Sequence, residues 1–227
     1  MKRATTTEII NSQPYPLPLS PRFKDFLGNV PRNKQFNISI TGEPGSAKSS
    51  FCFMLANEFS RSGKVLYCAA EENLDSGAIR QRILSLRISK QNIVFIHPDS
   101  YSDITDELSA HNYQFCFIDS INEVYTPEGE QMLAKDVIRI AAAYPNTSFV
   151  FISQINALGN RAAGGQKATH KADIKIFCKR DKKTDERLAY LTGNRFYPKV
   201  NEFTIFPAMY RPSINEVLRK NQNARRA

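Results

Sequence analysis

The stretch Gly42-Glu43-Pro44-Gly45-Ser46-Ala47-Lys48-Ser49 decides which fold we expect for this chain. It follows an apolar run at residues 36–40 and precedes a run at residues 51–59 with helical spacing of its apolar side chains. Small residues between a strand and a helix let main-chain N–H groups curl around a phosphate, and the positive N-terminal end of the helix adds attraction. The stretch therefore predicts a phosphate-binding loop.

Two side chains of this loop have chemical roles in the predicted site. Lys48 would reach the β- and γ-phosphates of a bound nucleotide, and the Ser49 hydroxyl would ligate Mg²⁺. Ala47 stands where the pattern G-x-x-x-x-G-K-[ST] has its second glycine, so its methyl group would crowd the phosphates or resist the backbone angles of the loop. The predicted ATP-binding residues are Gly42, Glu43, Pro44, Gly45, Ser46, Ala47, Lys48, Ser49 and Ser50.

The composition is that of an ordinary globular chain with an excess of positive charge. Of the 227 residues, 41% are hydrophobic and 23% are charged, and the net charge is +9. No apolar run approaches the ~20 residues that a membrane span needs, and the basic N-terminus lacks the apolar block of a secretion signal. The excess of lysine and arginine favours polyanionic partners, nucleic acid above all.

The four cysteines are scattered through apolar runs. Cys52, Cys68, Cys116 and Cys178 form no C-x-x-C pair, so they are typical of small buried side chains and not of disulfides or zinc ligands. Thiols of this kind indicate a reducing compartment. We therefore expect a cytoplasmic protein with no membrane association.

Apolar strands and helical runs alternate along the middle of the chain. Nearly continuous apolar strands separated by helices predict an α/β fold, whose mainly parallel central sheet is flanked by helices on both faces. The predicted strands are residues 36–40, 64–70, 93–97, 115–118 and 148–152. The predicted helices are residues 22–27, 51–59, 76–87, a run through Ile104 and Leu108, and residues 128–143.

The C-terminal part of the chain has a different pattern. Apolar runs at residues 174–178 and 188–191 flank a polar turn and predict a hairpin, and residues 203–206 predict a last strand. Antiparallel strands are therefore expected at the C-terminal end of the sheet. We expect a flexible, extended, proline-rich arm at residues 1–21 and one ATPase domain at residues 22–206. A basic tail follows at residues 207–227, with a short helix around residues 214–220.

Carboxylates follow two of the predicted strands. Asp119 ends the fourth strand, where P-loop enzymes hold Mg²⁺ beside the serine of the loop, here Ser49. Glu71 and Glu72 end the second strand, where a carboxylate can orient water for attack on a γ-phosphate. Either glutamate is a candidate for the general base, and a pair of charges at a helix N-terminus is the alternative.

An amide and a glycine-rich loop follow the fifth predicted strand. Gln154 is placed to sense a γ-phosphate and to pass the nucleotide state to residues 156–169. The amides and cations of that loop suit a phosphodiester backbone, although an ordinary surface loop is the alternative. The candidate nucleic-acid-binding residues are Asn160, Arg161, Gln166 and Lys167.

Taken in order, these stretches resemble the RecA superfamily, and within it the bacterial RadA/Sms recombination ATPases; KaiC-like ATPases are more distant. The resemblance covers about residues 23–206 at the spacing of the family. The similar stretches are Ile40-Thr41-Gly42-Glu43-Pro44-Gly45, Val65-Leu66-Tyr67 through Glu71-Glu72-Asn73, Phe117-Ile118-Asp119-Ser120-Ile121, Phe151-Ile152-Ser153-Gln154-Ile155-Asn156, His170-Lys171-Ala172-Asp173 and Gly193-Asn194-Arg195-Phe196.

The resemblance implies a RecA-like core that binds ATP and Mg²⁺ between subunits of a ring or filament, such as a hexamer, and grips single-stranded or branched DNA. Arg195 lies in a stretch similar to the Lys-Asn-Arg-Phe-Gly segment of RadA proteins, in which the lysine position is Gly193 and the last position is Tyr197 here. Arg195 would then act on the γ-phosphate of a neighbouring subunit. We expect neither the zinc module nor the Lon-like domain of that family.

Three functions are compatible with these patterns. The first is a DNA-dependent ATPase of recombination, repair or replication that couples hydrolysis to its grip on DNA. The second is a nucleotide-gated oligomerising scaffold with weak or no hydrolysis, motivated by Ala47 and by the missing lysine at position 193. The third is a KaiC-like signalling ATPase with protein partners. Hydrolysis measured with and without DNA distinguishes the three.

Overall fold

The computed structural model describes residues 3–11, 15–88, 92–154, 171–197, 199 and 201–208. The helices are α1 (Thr6–Asn11), α2 (Pro21–Leu27), α3 (Lys48–Phe59), α4 (Gly77–Ser85), α5 (Tyr101–Ala110) and α6 (Ala134–Ala143), with a short 3₁₀ turn at Ile121–Glu123. The strands are β1 (Asn37–Gly42), β2 (Val65–Ala69), β3 (Ile93–Ile96), β4 (Phe115–Asp119), β5 (Ser148–Ile152), β6 (Ile174–Arg180), β7 (Arg187–Asn194) and β8 (Asn201–Phe206). None of the helices within these ranges is long and apolar enough to cross a membrane.

One mixed sheet of eight strands forms the centre of the structure, in the order β3-β2-β4-β5-β1-β6-β7-β8. Neighbouring strands from β3 to β6 are parallel, whereas β7 runs antiparallel to both β6 and β8. The mainly parallel sheet with antiparallel strands at its C-terminal end is therefore confirmed. The first strand of the predicted hairpin, β6, adds a sixth parallel strand because it pairs with β1.

Helices cover both faces of the sheet, and strand β2 shows why its sequence is apolar throughout. Val65 and Tyr67 pack with α2, α3 and α4 on one face, whereas Leu66 and Cys68 pack with α5 and α6 on the other. Because successive side chains of a strand point to opposite faces, a strand covered on both sides has no position for a polar residue. The predicted doubly covered sheet follows from this pattern.

The parallel arrangement brings the ends of several strands together at one edge of the sheet. Ala69 at the end of β2 pairs with Asp119 at the end of β4, and Ile40 of β1 pairs with Ile152 of β5. The segments that follow β1, β2, β4 and β5 therefore leave the sheet side by side. Open α/β sheets bind ligands at this carboxyl edge.

The N-terminal segment differs in part from the extended, flexible arm that the sequence predicts. Residues Thr6–Asn11 form α1, and Leu17 is buried and donates its main-chain N–H to the carbonyl oxygen of Val30 at 2.8 Å. The main-chain N–H of Ser20 donates to the carboxylate of Glu58 in α3. Burial of Leu17 and the hydrogen bond to the buried carboxylate of Glu58 hold this part of the segment on the domain.

Helix α6 begins at Ala134, whereas the sequence predicts a start at residue 128. The residues before it form a turn in which the N–H of Gly129 donates to the carbonyl oxygen of Thr126 at 2.9 Å. Gly129 has a φ of 79°, which an α-helix cannot contain. The helix starts where the carboxylate of Asp136 accepts a hydrogen bond from the N–H of Leu133 at 2.9 Å and satisfies one free donor of the first turn.

Candidate nucleotide site at the carboxyl edge of the sheet

The loop between β1 and α3 lines a cavity of about 590 Å³ at the carboxyl edge of the sheet. Gly42 and Gly45 have φ values of 153° and 72°, and a Cβ on Gly42 would lie 2.2 Å from the carbonyl oxygen of Cys178 in β6. The main chain therefore approaches β6 in a way that only glycine permits. Of the nine predicted ATP-binding residues, these seven line the cavity: Gly42, Pro44, Gly45, Ala47, Lys48, Ser49 and Ser50.

The other two predicted ATP-binding residues, Glu43 and Ser46, contribute to the loop in a different way. Ser46 is fully buried, and Glu43 lines a neighbouring cavity with the turn between β6 and β7. The ammonium group of Lys48 donates to the carbonyl oxygens of Gly42 and Glu43 at 3.1 and 3.0 Å. These bonds hold the charge against the loop, in reach of a phosphate group that enters the cavity.

Ala47 adopts the left-handed conformation that this position of the loop requires. Its φ and ψ are 67° and 31°, immediately before the first residue of α3. A non-glycine residue in this region costs about 1–2 kcal/mol. Its methyl group packs against the apolar cluster that contains the phenylalanines of α3. Of the two expected effects of the alanine, resistance to the backbone angles is therefore the one visible in the structure.

We expect the substitution Ala47→Gly to stabilise the protein slightly. It relieves about 1–2 kcal/mol of strain and loses about 0.4–1 kcal/mol through the greater entropy of the unfolded chain. The same change at Ala142, an exposed residue of α6, should instead destabilise by about 1 kcal/mol, because glycine is a poor helix former. Denaturant unfolding of the two variants and the parent protein checks the signs, and equal losses of stability would contradict the strain at Ala47.

Asp119 and Ser49 lie together beside the loop. The Ser49 hydroxyl donates to Oδ1 of Asp119 at 3.2 Å, and the buried hydroxyl of Tyr67 donates to Oδ2 at 2.8 Å. The peptide bond between Asp119 and Ser120 is cis. Mg²⁺ prefers oxygen ligands and is commonly bound through one or two carboxylates together with phosphates and water. A serine oxygen next to a carboxylate, at the edge of a phosphate-binding cavity, fits that donor set.

The electrostatics of Asp119 also favour a bound cation. Burial raises the pKa of Asp119 to about 6. The hydrogen bond from Tyr67 lowers this pKa, whereas the negative charge of Glu71 raises it further. Burial and the nearby Asp119 raise the pKa of Tyr67 well above its ordinary value, so its hydroxyl remains a donor. A buried carboxylate whose charged form is disfavoured gains most from a positive charge placed beside it.

Glu71 and Gln154 meet across the cavity edge. The side-chain amide of Gln154 donates to Oε1 of Glu71 at 2.9 Å, and the main-chain N–H of Gln154 donates to Oδ1 of Asn122 at 2.8 Å. Both side chains line the same cavity as Lys48. The structure therefore brings together the end of β2 and the end of β5, which lie on either side of β4 at the same edge of the sheet.

Glu72 is placed differently from Glu71. Its two carboxylate oxygens accept hydrogen bonds from the guanidinium of Arg82 at 2.9 and 2.7 Å, and it does not line the large cavity. The sequence left open which of the two glutamates acts as a base. The geometry favours Glu71, because Glu72 is engaged in an ion pair and Glu71 faces the cavity.

Arg195 lies at the opposite edge of the sheet. Its guanidinium is 3.0 Å from Oδ1 of Asp173, and Oδ2 of that aspartate accepts from the N–H of Asn37, the first residue of β1. The phosphate-binding loop follows the last residue of β1, roughly 17 Å away at a rise of about 3.3 Å per residue. Arg195 therefore cannot reach the phosphates of its own subunit, and within that subunit its guanidinium forms an ion pair with Asp173. The candidate nucleic-acid residues Asn160, Arg161, Gln166 and Lys167 lie outside the described residues.

Four residues of the site were not predicted from the sequence: Tyr67, Arg82, Arg187 and Phe206. Arg187 and Phe206 are paired across β7 and β8, and both line the large cavity. Nε of Arg187 donates to the carbonyl oxygen of Gly45 at 3.2 Å, and its guanidinium lies 5.8 Å from the centroid of the Phe206 ring. Only the register of the antiparallel strands places these residues beside the loop. Arg82 could have been identified from the sequence, because it is a charged residue at a position where the helical spacing of α4 predicts an apolar one.

Comparison with characterised proteins identifies relatives over most of the chain. No family model matches it. It is 27% identical over 188 residues to the "DNA repair protein RadA" of Chlamydia muridarum, 30% over 178 residues to that of Treponema pallidum, and 26% over 192 residues to that of Streptococcus pneumoniae. The alignments cover 78, 74 and 82% of this chain but 40, 37 and 45% of those proteins. The chain thus spans less than half the length of the relatives it matches.

A solved structure shares the fold. The KaiC-like protein PH0186 from Pyrococcus horikoshii OT3 superposes with a TM-score of 0.63 at 12% sequence identity, over 88% of this chain and 99% of that protein. At this identity the likeness concerns the fold alone, and the sequence matches to RadA proteins are independent of it. Together, the sequence matches and the shared fold show that the chain belongs to the RecA superfamily of P-loop ATPases and is close to RadA.

Proposed function

We propose that this protein binds ATP with Mg²⁺, hydrolyses it, and couples hydrolysis to its grip on single-stranded or branched DNA in recombination, repair or replication. The observation that carries the proposal is the convergence of Lys48, Ser49, Glu71 and Gln154 on one cavity, with Asp119 hydrogen-bonded to Ser49. Phosphoryl transfer needs positioned positive charge, a metal site and a group that orients the nucleophile. Each of these is supplied from a different strand end at one edge of the sheet.

Binding would depend first on the loop. Main-chain N–H groups of the loop and the N-terminal end of α3 attract the phosphates. The ammonium group of Lys48 exchanges its bonds to the carbonyl oxygens of Gly42 and Glu43 for bonds to β- and γ-phosphate oxygens. Ser49 and Asp119 would hold Mg²⁺, whose charge offsets that of the phosphates.

Hydrolysis would depend on Glu71 and Gln154. The carboxylate of Glu71 would orient a water molecule and accept its proton as the oxygen attacks the γ-phosphorus. The bond from the γ-phosphorus to the β–γ bridging oxygen then breaks, and ADP and inorganic phosphate are the products. Gln154, which now donates to Glu71, can donate to a γ-phosphate oxygen instead, and this exchange would report the nucleotide state to the residues after β5. We propose Arg195 of a neighbouring subunit as a further source of positive charge.

The DNA and the assembly are proposed on separate grounds. The relatives carry the name "DNA repair protein RadA", and the net charge of +9 favours a polyanion. The candidate DNA contacts are Asn160, Arg161, Gln166 and Lys167, which follow Gln154 along the chain. We propose a ring or filament, such as a hexamer, in which Arg195 of one subunit would act on the nucleotide of the next. We propose a cytoplasmic location, as the cysteine content indicates.

A nucleotide-gated scaffold is the second candidate function. The observation that favours it is the left-handed Ala47, which strains the loop that must hold the phosphates. A strained loop can bind nucleotide and change assembly without rapid turnover. The scaffold predicts ATP-dependent oligomerisation with almost no phosphate release.

Steady-state ATP hydrolysis at moderate salt, with and without single-stranded DNA, tests the proposed function. We expect several-fold stimulation by DNA, with the Lys48→Ala variant as the blank. Hydrolysis that is indifferent to DNA would contradict the coupling and support a signalling ATPase of the KaiC-like kind. ATP binding without hydrolysis above the blank would support the scaffold.

A further inference from the structure

Arg82 occupies an apolar position of helix α4. It shares the side of the helix on which Ile79, Ile83 and Leu86 pack against the core. Its side chain is 20% exposed, whereas Arg80, two positions earlier, is exposed. Withdrawal of a charge from water costs free energy unless the charge is paired and hydrogen-bonded, so a half-buried guanidinium at this position calls for a charged partner.

Glu72 is that partner, and it fixes the guanidinium in one orientation. The two bonds of 2.9 and 2.7 Å form the parallel, bidentate arrangement that matches the planar guanidinium to a carboxylate. The guanidinium carbon also lies 5.2 Å from the centroid of the Phe53 ring of α3. Burial lowers the pKa of Arg82, but the hydrogen bonds and charge of Glu72 outweigh burial and raise it. The group is therefore permanently charged and held in place.

The fixed guanidinium borders the catalytic end of the cavity. Arg82 lines the large cavity together with Ser49, Glu71 and Gln154, and it lines a second, small cavity together with Ser49, Glu71 and Asp119. These neighbours are the groups proposed to hold Mg²⁺ and to orient the attacking water. The γ-phosphate must lie between the metal and that water, so Arg82 faces the part of the cavity that this phosphate enters.

We propose that Arg82 binds the γ-phosphate of ATP within its own subunit and that Glu72 positions it for this contact. The proposal rests on the proposed ATP-binding function. A guanidinium has five N–H donors, and the pair with Glu72 uses two of them. Arg82 can therefore donate to a phosphate oxygen while Glu72 continues to hold it. The two adjacent glutamates would then have different roles, because Glu71 orients the attacking water and Glu72 holds the guanidinium of Arg82.

The contact makes Arg82 a residue that distinguishes ATP from ADP. ADP lacks the phosphate group that Arg82 would bind, so removal of the guanidinium should weaken binding of the triphosphate selectively. The charge-assisted hydrogen bonds that form only with the triphosphate are of the strong class. A purely structural role in holding α4 would instead affect both nucleotides equally.

Calorimetric titration with Mg²⁺ and either ADP or a non-hydrolysable, imido-bridged ATP analogue tests the proposal. The Arg82→Gln variant should lose about 10- to 100-fold in affinity for the analogue and little for ADP. The matched control is Arg80→Gln, which removes the same charge from an exposed position of the same helix and should leave both affinities unchanged. Glu72→Gln, which leaves only one oxygen to accept from Arg82, should show a smaller selective loss.

The outcomes separate this proposal from the proposed function. If the parent protein binds neither nucleotide, ATP binding itself is wrong. If it binds both and Arg82→Gln loses neither affinity, or loses both to the same extent, the assignment of Arg82 is overturned while ATP binding stands. Should Arg82→Gln fail to fold, Arg82→Lys keeps the positive charge without the planar fork. It should show the same selective loss for the analogue, and an unchanged ratio of the two affinities would overturn the proposal.

Discussion

Replacement of Glu71 by glutamine should lower steady-state ATP hydrolysis by about 100- to 10,000-fold, which is the usual contribution of a general base. The amide cannot accept the proton of the attacking water. It has the same shape as the carboxylate, and its oxygen can still accept the hydrogen bond that Gln154 donates at 2.9 Å. Nucleotide affinity, measured by titration in the presence of Mg²⁺, should therefore change little while turnover is lost.

The matched control for this substitution is Glu123→Gln. Glu123 is an exposed carboxylate at the same edge of the sheet, in the turn after β4, and it does not line the nucleotide cavity. Its loss should leave hydrolysis within the range of the parent protein. Turnover that survives in Glu71→Gln would contradict the assignment and would leave the reaction without the base that the geometry selects.

Most of the fold could be predicted because its parallel strands are apolar throughout. A short run such as that at residues 65–69 is typical of a strand covered on both faces, and the alternation of such runs with helices predicts the parallel sheet. The start of α6 could not be predicted in the same way. The left-handed Gly129 and the cap that Asp136 provides depend on local geometry, whereas the apolar period continues into the helix without marking where it begins.

The residues of the candidate site could also be predicted only in part from the sequence. Residues at the ends of parallel strands, such as Asp119 and Gln154, could be predicted because all these ends share one edge of the sheet. The choice between Glu71 and Glu72 could not be made, because it depends on the position of Arg82 in a helix that follows. Tyr67 could not be distinguished from the apolar residues beside it. Its ring packs in the core as theirs do, and only its hydroxyl contributes to the site, by donating a hydrogen bond to Asp119.

Replacement of Lys48 by alanine should have a different signature from the loss of Glu71. The ammonium group is the charge expected to contact both the β- and the γ-phosphate, so its removal should weaken ADP and ATP alike. Hydrolysis should fall by about 100- to 1,000-fold, as for the loss of one preorganised donor in a phosphoryl or acyl transfer site. Titration with both nucleotides and a turnover assay on the same preparation measure these effects together.

The control for Lys48→Ala is Lys135→Ala, because Lys135 is an exposed lysine of α6 on the chain's polar surface and its loss changes the net charge by the same amount. That variant should retain both affinities and full turnover. The ammonium group of Lys48 donates to main-chain carbonyl oxygens of its own loop, so we expect its removal to expose those oxygens to water and to leave the fold intact. Unchanged hydrolysis in Lys48→Ala would mean that the phosphates bind elsewhere. We expect Lys48→Ala to lose affinity for both nucleotides and Glu71→Gln to lose turnover alone. This difference would distinguish the group that binds phosphate from the group that activates water.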